Sequence, residues 1–303
     1  MSETKKKKLF DFKGERTASS IIIFSTGILY LVSLFFEITF LSVGIIVLIS
    51  TRATYELITA TGCKNKLLLA VSCVGSLLYI LSIAFSITIP MATLVIPAYI
   101  LLLLSISVFQ YSNGVKFIDC IVAIFASTAM PYAFSCFIRL YNIGDIIPNY
   151  TIYEGLLLVL FATTSSWGTD GFAFLVGRKI GKHKLSPNIS PKKSVEGAVG
   201  GLILAAAMNT LILFISSTIY TSITGAQLFA LGNIKYLYLL PICIVLSLVS
   251  MVGDLAASVL KRNVGIKDFS QLLPGHGGMV DRFDSCLFVI VLLYGFFEVV
   301  STF

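Results

Sequence analysis

Long runs of apolar residues, each near the length that crosses a bilayer and each bounded by a short polar stretch, account for most of the chain. The hydrocarbon core takes about 20 apolar residues per helix. The runs therefore predict nine spanning helices, near residues 19–36, 38–55, 67–86, 89–108, 117–138, 154–177, 197–217, 236–260 and 284–302. The expected fold class is an all-α polytopic integral membrane protein. The connections after spans six and eight are its longest polar stretches, and both are too short for a soluble domain. Within this single membrane domain the pattern sets apart a basic tail (1–18), scaffold helices poor in ionisable groups (19–150) and a part rich in charge and glycine that reads as catalytic (151–303).

Composition fixes the class and charge adds a direction. Hydrophobic residues make up 57% of the chain and charged residues 12%, and the mean hydropathy is +0.94, far from the soluble average. Of the 22 lysines and arginines, all but Arg52, Arg139 and Lys235 fall in the tail or in connections after even-numbered spans. Short cytoplasmic loops hold the excess of basic residues, so the N-terminus is expected in the cytoplasm. The tail MSETKKKKLFDFKGER lacks the small-residue cleavage pattern of a removed signal peptide and reads as cytoplasmic, its lysines placed to meet anionic lipid heads. The net charge of +7 thus reports topology and lipid; nucleic acid is not an expected partner. The six cysteines show no CxxC or Cys/His spacing of a zinc site.

Carboxylates inside apolar spans are costly and mark functional sites by default. Asp170 lies two helical turns before Arg178, and Asp254 lies seven residues before Lys261. Asp281 and Asp284, three apart, share a face if helical. Arg52 and Glu56, four apart near the inner end of span two, read as a structural ion pair. The connection after span six offers Lys192, Lys193 and Ser194 among its cations and hydroxyls, and Ser194-Val-Glu196 supplies helix-start chemistry for span seven. The connection after span eight carries Lys261, Arg262, Lys267, Asp268 and Arg282 around Pro274-Gly275-His276-Gly277-Gly278. Successive glycines let backbone N–H groups approach an anion. Carboxylates beside cations read as a site for phosphate and a divalent metal, with Mg²⁺ expected because it needs only one or two protein carboxylates and His and Cys are scarce. Neither a Walker A nor a Rossmann fingerprint is present.

From Ser258 to Asp284 the chain reads Ser258-x-Leu260-Lys261-Arg262-x4-Lys267-Asp268-x-Ser270-x2-Leu273-Pro274-x-His276-Gly277-Gly278-Met279-x-Asp281-Arg282-Phe283-Asp284. It closely resembles the signature of the phosphatidate cytidylyltransferases, or CDP-diacylglycerol synthases, with every fixed position filled. Residues from Asp170 through Gly177-Arg178, Gly181-Lys182, Pro187, Ile189-Ser190-Pro191-Lys192-Lys193 and Glu196-Gly197 look like the family's other characteristic region. Phe174 and Ser194 stand where that region leads one to expect Tyr and Thr.

The resemblance implies transfer of CMP from CTP to phosphatidic acid, with Mg²⁺, at the inner membrane surface, by a homodimer. On that basis Asp254 and Asp281 are expected to hold the metal. Asp284 and Asp170 follow, with Asp170 serving a second cation or orienting a Lys or Arg. Lys261, Arg262, Lys267 and Arg282 are expected to clamp phosphates, with Asp268 beside them. His276 and the backbone of Gly277 and Gly278 would cradle triphosphate or phosphatidate, and Lys192, Lys193 and Ser194 would close the site. The short tail and compact chain favour a bacterial plasma membrane. Two other readings stay open at this stage: a CTP-dependent lipid kinase, which would release CDP, and a transporter of anionic solutes, which inverted repeats would support.

Overall fold

A computed structural model describes residues 3–87, 94–148, 150–226, 228–230, 236–273, 275 and 277–301, with side chains described from residue 18 onward except at 230 and 236–240. Among the described residues the helices are α1 (Glu3–Phe35), α2 (Thr39–Ala60), α3 (Lys66–Ala84), α4 (Ile96–Phe109), α5 (Phe117–Tyr141), α6 (Ile152–Ile180), α7 (Val195–Thr224), α8 (Tyr236–Asn263) and α9 (Val280–Val300). The remaining regular structure among these residues is a hairpin of two short strands, β1 (Lys184–Ser186) and β2 (Ser190–Ser194), and short 3₁₀ turns at Tyr111–Asn113, Ile143–Asp145 and Leu228–Ala230.

Seven of the helices are long and apolar enough to cross a membrane: α2, α3, α5, α7 and α9 along their length, and α1 and α8 over Ala18–Phe35 and Pro241–Asn263. This is an all-α polytopic integral membrane protein. The two expected spans outside that set differ for separate reasons. In α4 the described helix has 14 residues, and the start of the expected span, residues 89–93, lies outside the described residues. In α6 length suffices, at 29 residues, but the run Thr163-Thr164-Ser165-Ser166-Trp167-Gly168-Thr169-Asp170 makes its second half too polar. The connection after α6, read from sequence only as a polar loop, pairs Lys184 with Ser194 and Ser186 with Ser190 in the hairpin.

Local sequence accounts for several helix ends. Asn65 caps α3 by accepting from the Leu68 N–H. Thr151 and Glu154 form a reciprocal capping box on α6, satisfying two donors that a helix start leaves orphaned. Ser194 caps α7 by accepting from the Gly197 N–H at 3.2 Å, as the sequence predicts, and Gly225 ends that helix in the left-handed region at φ 71°.

The chain forms two compact units. The first comprises residues 1–138 and 263–283, the second residues 139–262 and 284–303. In the first, Ser50 of α2 hydrogen-bonds Ser76 of α3 at 3.0 Å, and the Thr54 hydroxyl donates to the Ala126 carbonyl of α5 at 3.3 Å. Phe134 and Phe137 of α5 pack edge-on against Phe283. In the second unit, α6 and α7 approach closely because small residues line the seam. A Cβ on Gly201 would meet the Thr169 carbonyl oxygen at 2.7 Å, and one on Gly197 would meet that of Ala173 at 2.6 Å. Such close backbone approach is how membrane helices gain packing without a hydrophobic drive between them. Asn209 of α7 strengthens the seam, donating to Ser165 at 2.8 Å and accepting from Thr164 at 2.6 Å.

Candidate functional site

In the first unit the glycine-rich loop is built around two carboxylates. Asp281, in the first turn of α9, is 9% exposed. Its Oδ2 accepts from the Phe269 N–H at 2.8 Å and from the Gly278 N–H at 2.9 Å. An antiparallel bridge between Leu273 and Gly277, with Leu273 N–H donating to the Gly277 carbonyl at 3.0 Å, closes the loop on itself. Gly277 has φ +79°, where a side chain is strained. The glycines are thus required by the turn and by the approach of carboxylates. The Gly278 N–H, expected from sequence to face an anion, is committed to Asp281. His276 lies outside the described residues, while Lys267 and Asp268 are exposed on the loop's first arm.

The second carboxylate is Glu56 on α2, with no exposed surface. The expected pair is present, Arg52 Nε standing 3.3 Å from Glu56 Oε1. Glu56 also accepts from the Ser270 hydroxyl at 2.7 Å and from the Val280 N–H at 3.1 Å. Sequence reading placed Glu56 only in the pair with Arg52, because nothing local in 303 residues relates a residue of α2 to a loop more than 200 positions away.

In the second unit the acids meet ammonium groups, and Asp284 also accepts from the N–H of its neighbour Ser285 at 2.8 Å. Lys193, at the end of β2, forms an ion pair with Asp254 of α8, and its Nζ lies 3.8 Å from Asp170 of α6. Lys261, near the end of α8, stands 3.8 Å from Asp284 of α9. Asp170, Asp254 and Asp284 range from partly exposed to nearly buried, with side chains 36%, 21% and 10% exposed. Asp170 is held from behind, since the Ser285 hydroxyl donates to its Oδ2 at 3.0 Å and Ser285 shares a second hydrogen bond of 2.8 Å with Ser166. Arg262 and Lys192 are exposed. Ser194 is occupied as the cap of α7, where Cβ atoms on Gly177 or Gly181 would press on its hydroxyl. The hairpin is fixed to α7 by Glu196, which accepts from the Lys182 and His183 N–H groups and lies 2.6 Å from His183 Nδ1.

Unshielded carboxylates so close together would repel. The observed order, acid, lysine, acid, supplies positive charge among them, and an arrangement of this kind suits a polyanionic substrate whose phosphates compete for the same ammonium groups. Residues 15–300 match the model of the Cytidylyltransferase family. The chain belongs to that family. Relatives include the phosphatidate cytidylyltransferase of Bacillus subtilis (strain 168), 44% identical over 140 residues, which are 46% of this chain and 47% of that protein. The phosphatidate cytidylyltransferase of Staphylococcus saprophyticus is 40% identical over 192 residues, 63% of this chain and 64% of that protein. That of Staphylococcus haemolyticus (strain JCSC1435) is 41% identical over 152 residues, 50% and 53% of the two chains. The aligned part of this cytidylyltransferase-family chain therefore spans between about half and two thirds of these relatives' lengths.

Proposed function

We propose that the protein is a phosphatidate cytidylyltransferase, joining phosphatidic acid to the CMP moiety of CTP to give CDP-diacylglycerol and pyrophosphate. The observation that carries this is the family match over residues 15–300, together with relatives that bear the phosphatidate cytidylyltransferase name. The acid and lysine cluster of the second unit supports it chemically.

A phosphate monoester has its second pKa near 6, so at neutral pH the phosphatidate oxygen is already an anion and needs no general base. That oxygen forms a bond to the α-phosphorus of CTP as the bond from that phosphorus to the bridging oxygen breaks, and pyrophosphate leaves with the electron pair. The barrier is dominated by bringing two polyanions together and stabilising charge on the leaving group, a task for positioning and fixed positive charge. Lys193 and Lys261 supply that charge beside Asp170, Asp254 and Asp284. Arg262, Lys267 and Arg282 are assigned to further phosphate contacts, with Arg suited to bidentate ones. The loop from Lys267 to Gly278, with His276, is assigned to cradling the triphosphate.

The donor set fits magnesium. Among the described residues no three His, Cys, Asp or Glu side chains converge as a closed metal cage. Asp170 and Asp254 instead face one shared cation, the Lys193 ammonium. Mg²⁺ is held by one or two carboxylates, with water and substrate phosphate completing its shell. Asp170 and Asp254 would hold it, Asp284 facing Lys261 instead, and it would neutralise phosphate charge. Asp281, the remaining expected ligand, has its Oδ2 engaged by two loop amides. The excess of Lys and Arg in alternate connections supports a reaction at the cytoplasmic face, the bacterial relatives support a bacterial membrane, and the homodimer expected of the family would be read from the mass of the detergent-extracted protein.

The test uses purified protein, phosphatidic acid, Mg²⁺ and CTP labelled at either the α- or the γ-phosphate. Label from the α position is expected in the lipid product, with an equal amount of pyrophosphate. Transfer of γ label to lipid with release of CDP would make the protein a lipid kinase, and no lipid labelling from either position would remove the enzymatic reading.

A further inference from the structure

We propose that Glu56, on a helix far from the signature in sequence, is a positioning residue that holds the signature loop in its working shape. This deepens the reading above and rests on the loop's proposed role in binding CTP.

A buried carboxylate is strongly unfavourable unless hydrogen bonds and opposite charge offset its lost hydration. Glu56 is wholly buried. Its one ion-pair partner in α2, Arg52, has a side chain 34% exposed and reaches it at 3.3 Å, so the pair alone does not explain why the carboxylate points inward. The loop does. Oε1 accepts from the Ser270 hydroxyl at 2.7 Å and Oε2 from the Val280 N–H at 3.1 Å. These two contacts lie on the two arms of the loop, ten residues apart in the chain. Glu56 therefore ties the arms together from outside, as Asp281 ties them through Phe269 and Gly278 from within.

Gly278 leaves the space that this tie needs. A Cβ there would collide with the Glu56 carboxylate and stand 2.8 Å from the Ser270 hydroxyl. Absence of a side chain at Gly278 is thus what allows Glu56 to reach both arms. A glutamine is the same size but has one acceptor oxygen. Its NH₂ must face either the Val280 N–H or the Arg52 Nε–H, neither of which can accept, so Glu56→Gln loses at least one of the contacts that hold the group between the arms while leaving the site filled.

Wild type, Glu56→Gln and Ser270→Ala are compared in two measurements. The first is hydrogen–deuterium exchange of peptides covering residues 266–280. The second is the KM for CTP alongside kcat. Faster loop exchange in Glu56→Gln, with α3 and α7 unchanged, and a KM for CTP raised about tenfold are expected; Ser270→Ala should show the same changes at smaller size. A merely structural role would lower the active fraction, and so kcat, while leaving KM alone. Unchanged loop exchange, or faster exchange with an unaltered KM, overturns the proposal. Should Glu56→Gln fail to fold, Ser270→Ala decides by the same criteria. If wild type makes no liponucleotide, the reaction reading fails separately and takes the positioning role with it, while exchange still shows whether Glu56 ties the loop.

Discussion

Asp281 and Asp284 are one turn apart on α9, yet they serve differently because their partners differ. Asp281 gathers backbone amides from two segments of its own loop. Asp284 faces Lys261, among acids and lysines that share charge. The same contrast separates the wider clusters. In the first unit Glu56 and Asp281 act as fasteners, Asp281 Oδ2 and both Glu56 oxygens accepting from N–H and O–H groups that define a loop. In the second, Asp170, Asp254 and Asp284 stand opposite ammonium groups whose charge a phosphate could claim. An acid that gathers amides from separate segments sets shape, whereas an acid paired with a lysine sets charge. A sequence signature contains both kinds without marking which is which.

Removal of divalent metal offers the largest expected effect on this comparison. Treatment with EDTA should abolish CTP-dependent lipid labelling, and added Mg²⁺ should restore it. Substantial activity in EDTA would leave the charge cluster without a metal to hold. Next, Asp254→Asn should lower turnover by at least about a hundredfold, the scale seen when a single stabilising group is lost from a transition state, while thermal unfolding of the detergent-solubilised protein shifts little. Near-normal turnover would take Asp254 out of the charge cluster's chemistry. The smallest effect is expected at Ser285→Ala, which removes the hydrogen bond behind Asp170. One neutral partner of an ionised group contributes roughly 1.5–3 kcal/mol, and only the fraction felt in the transition state should appear, as a fall in kcat of several-fold or less. A loss as large as that of Asp254→Asn would make Ser285 part of the reacting machinery.

Much of this contrast was half visible in the sequence. Most of the spans are legible because each is a long apolar run, α6 with its polar stretch at 163–170 being the exception, and the cap at Ser194 and the Arg52–Glu56 pair are legible because both depend on residues three or four apart. The acids and lysines of the site are legible as types. Their sorting is not. That Lys193 serves Asp170 and Asp254 depends on a short hairpin, rich in Lys and Pro, whose two strands carry no alternating pattern of apolar residues. That the Gly278 amide turns to Asp281 depends on loop dihedrals. The reach of Glu56 to Ser270 and Val280 depends on packing between segments separated by most of the chain. Hydrophobic periodicity reports the face of a helix, never which distant loop that face meets. The division at residue 150, drawn on density of charge, likewise differs in kind from the compact units, which join residues 263–283 to the N-terminal helices.

The division of labour along α9 is tested most directly by hydrogen–deuterium exchange of the peptide covering residues 267–280, measured in parallel on wild type, Asp281→Asn and Asp254→Asn. Faster exchange in Asp281→Asn, with Asp254→Asn indistinguishable from wild type, is the expected result. Equal protection of this loop in Asp281→Asn and wild type, or equal loss of protection in both variants, would contradict the separation of acids that set shape from acids that set charge.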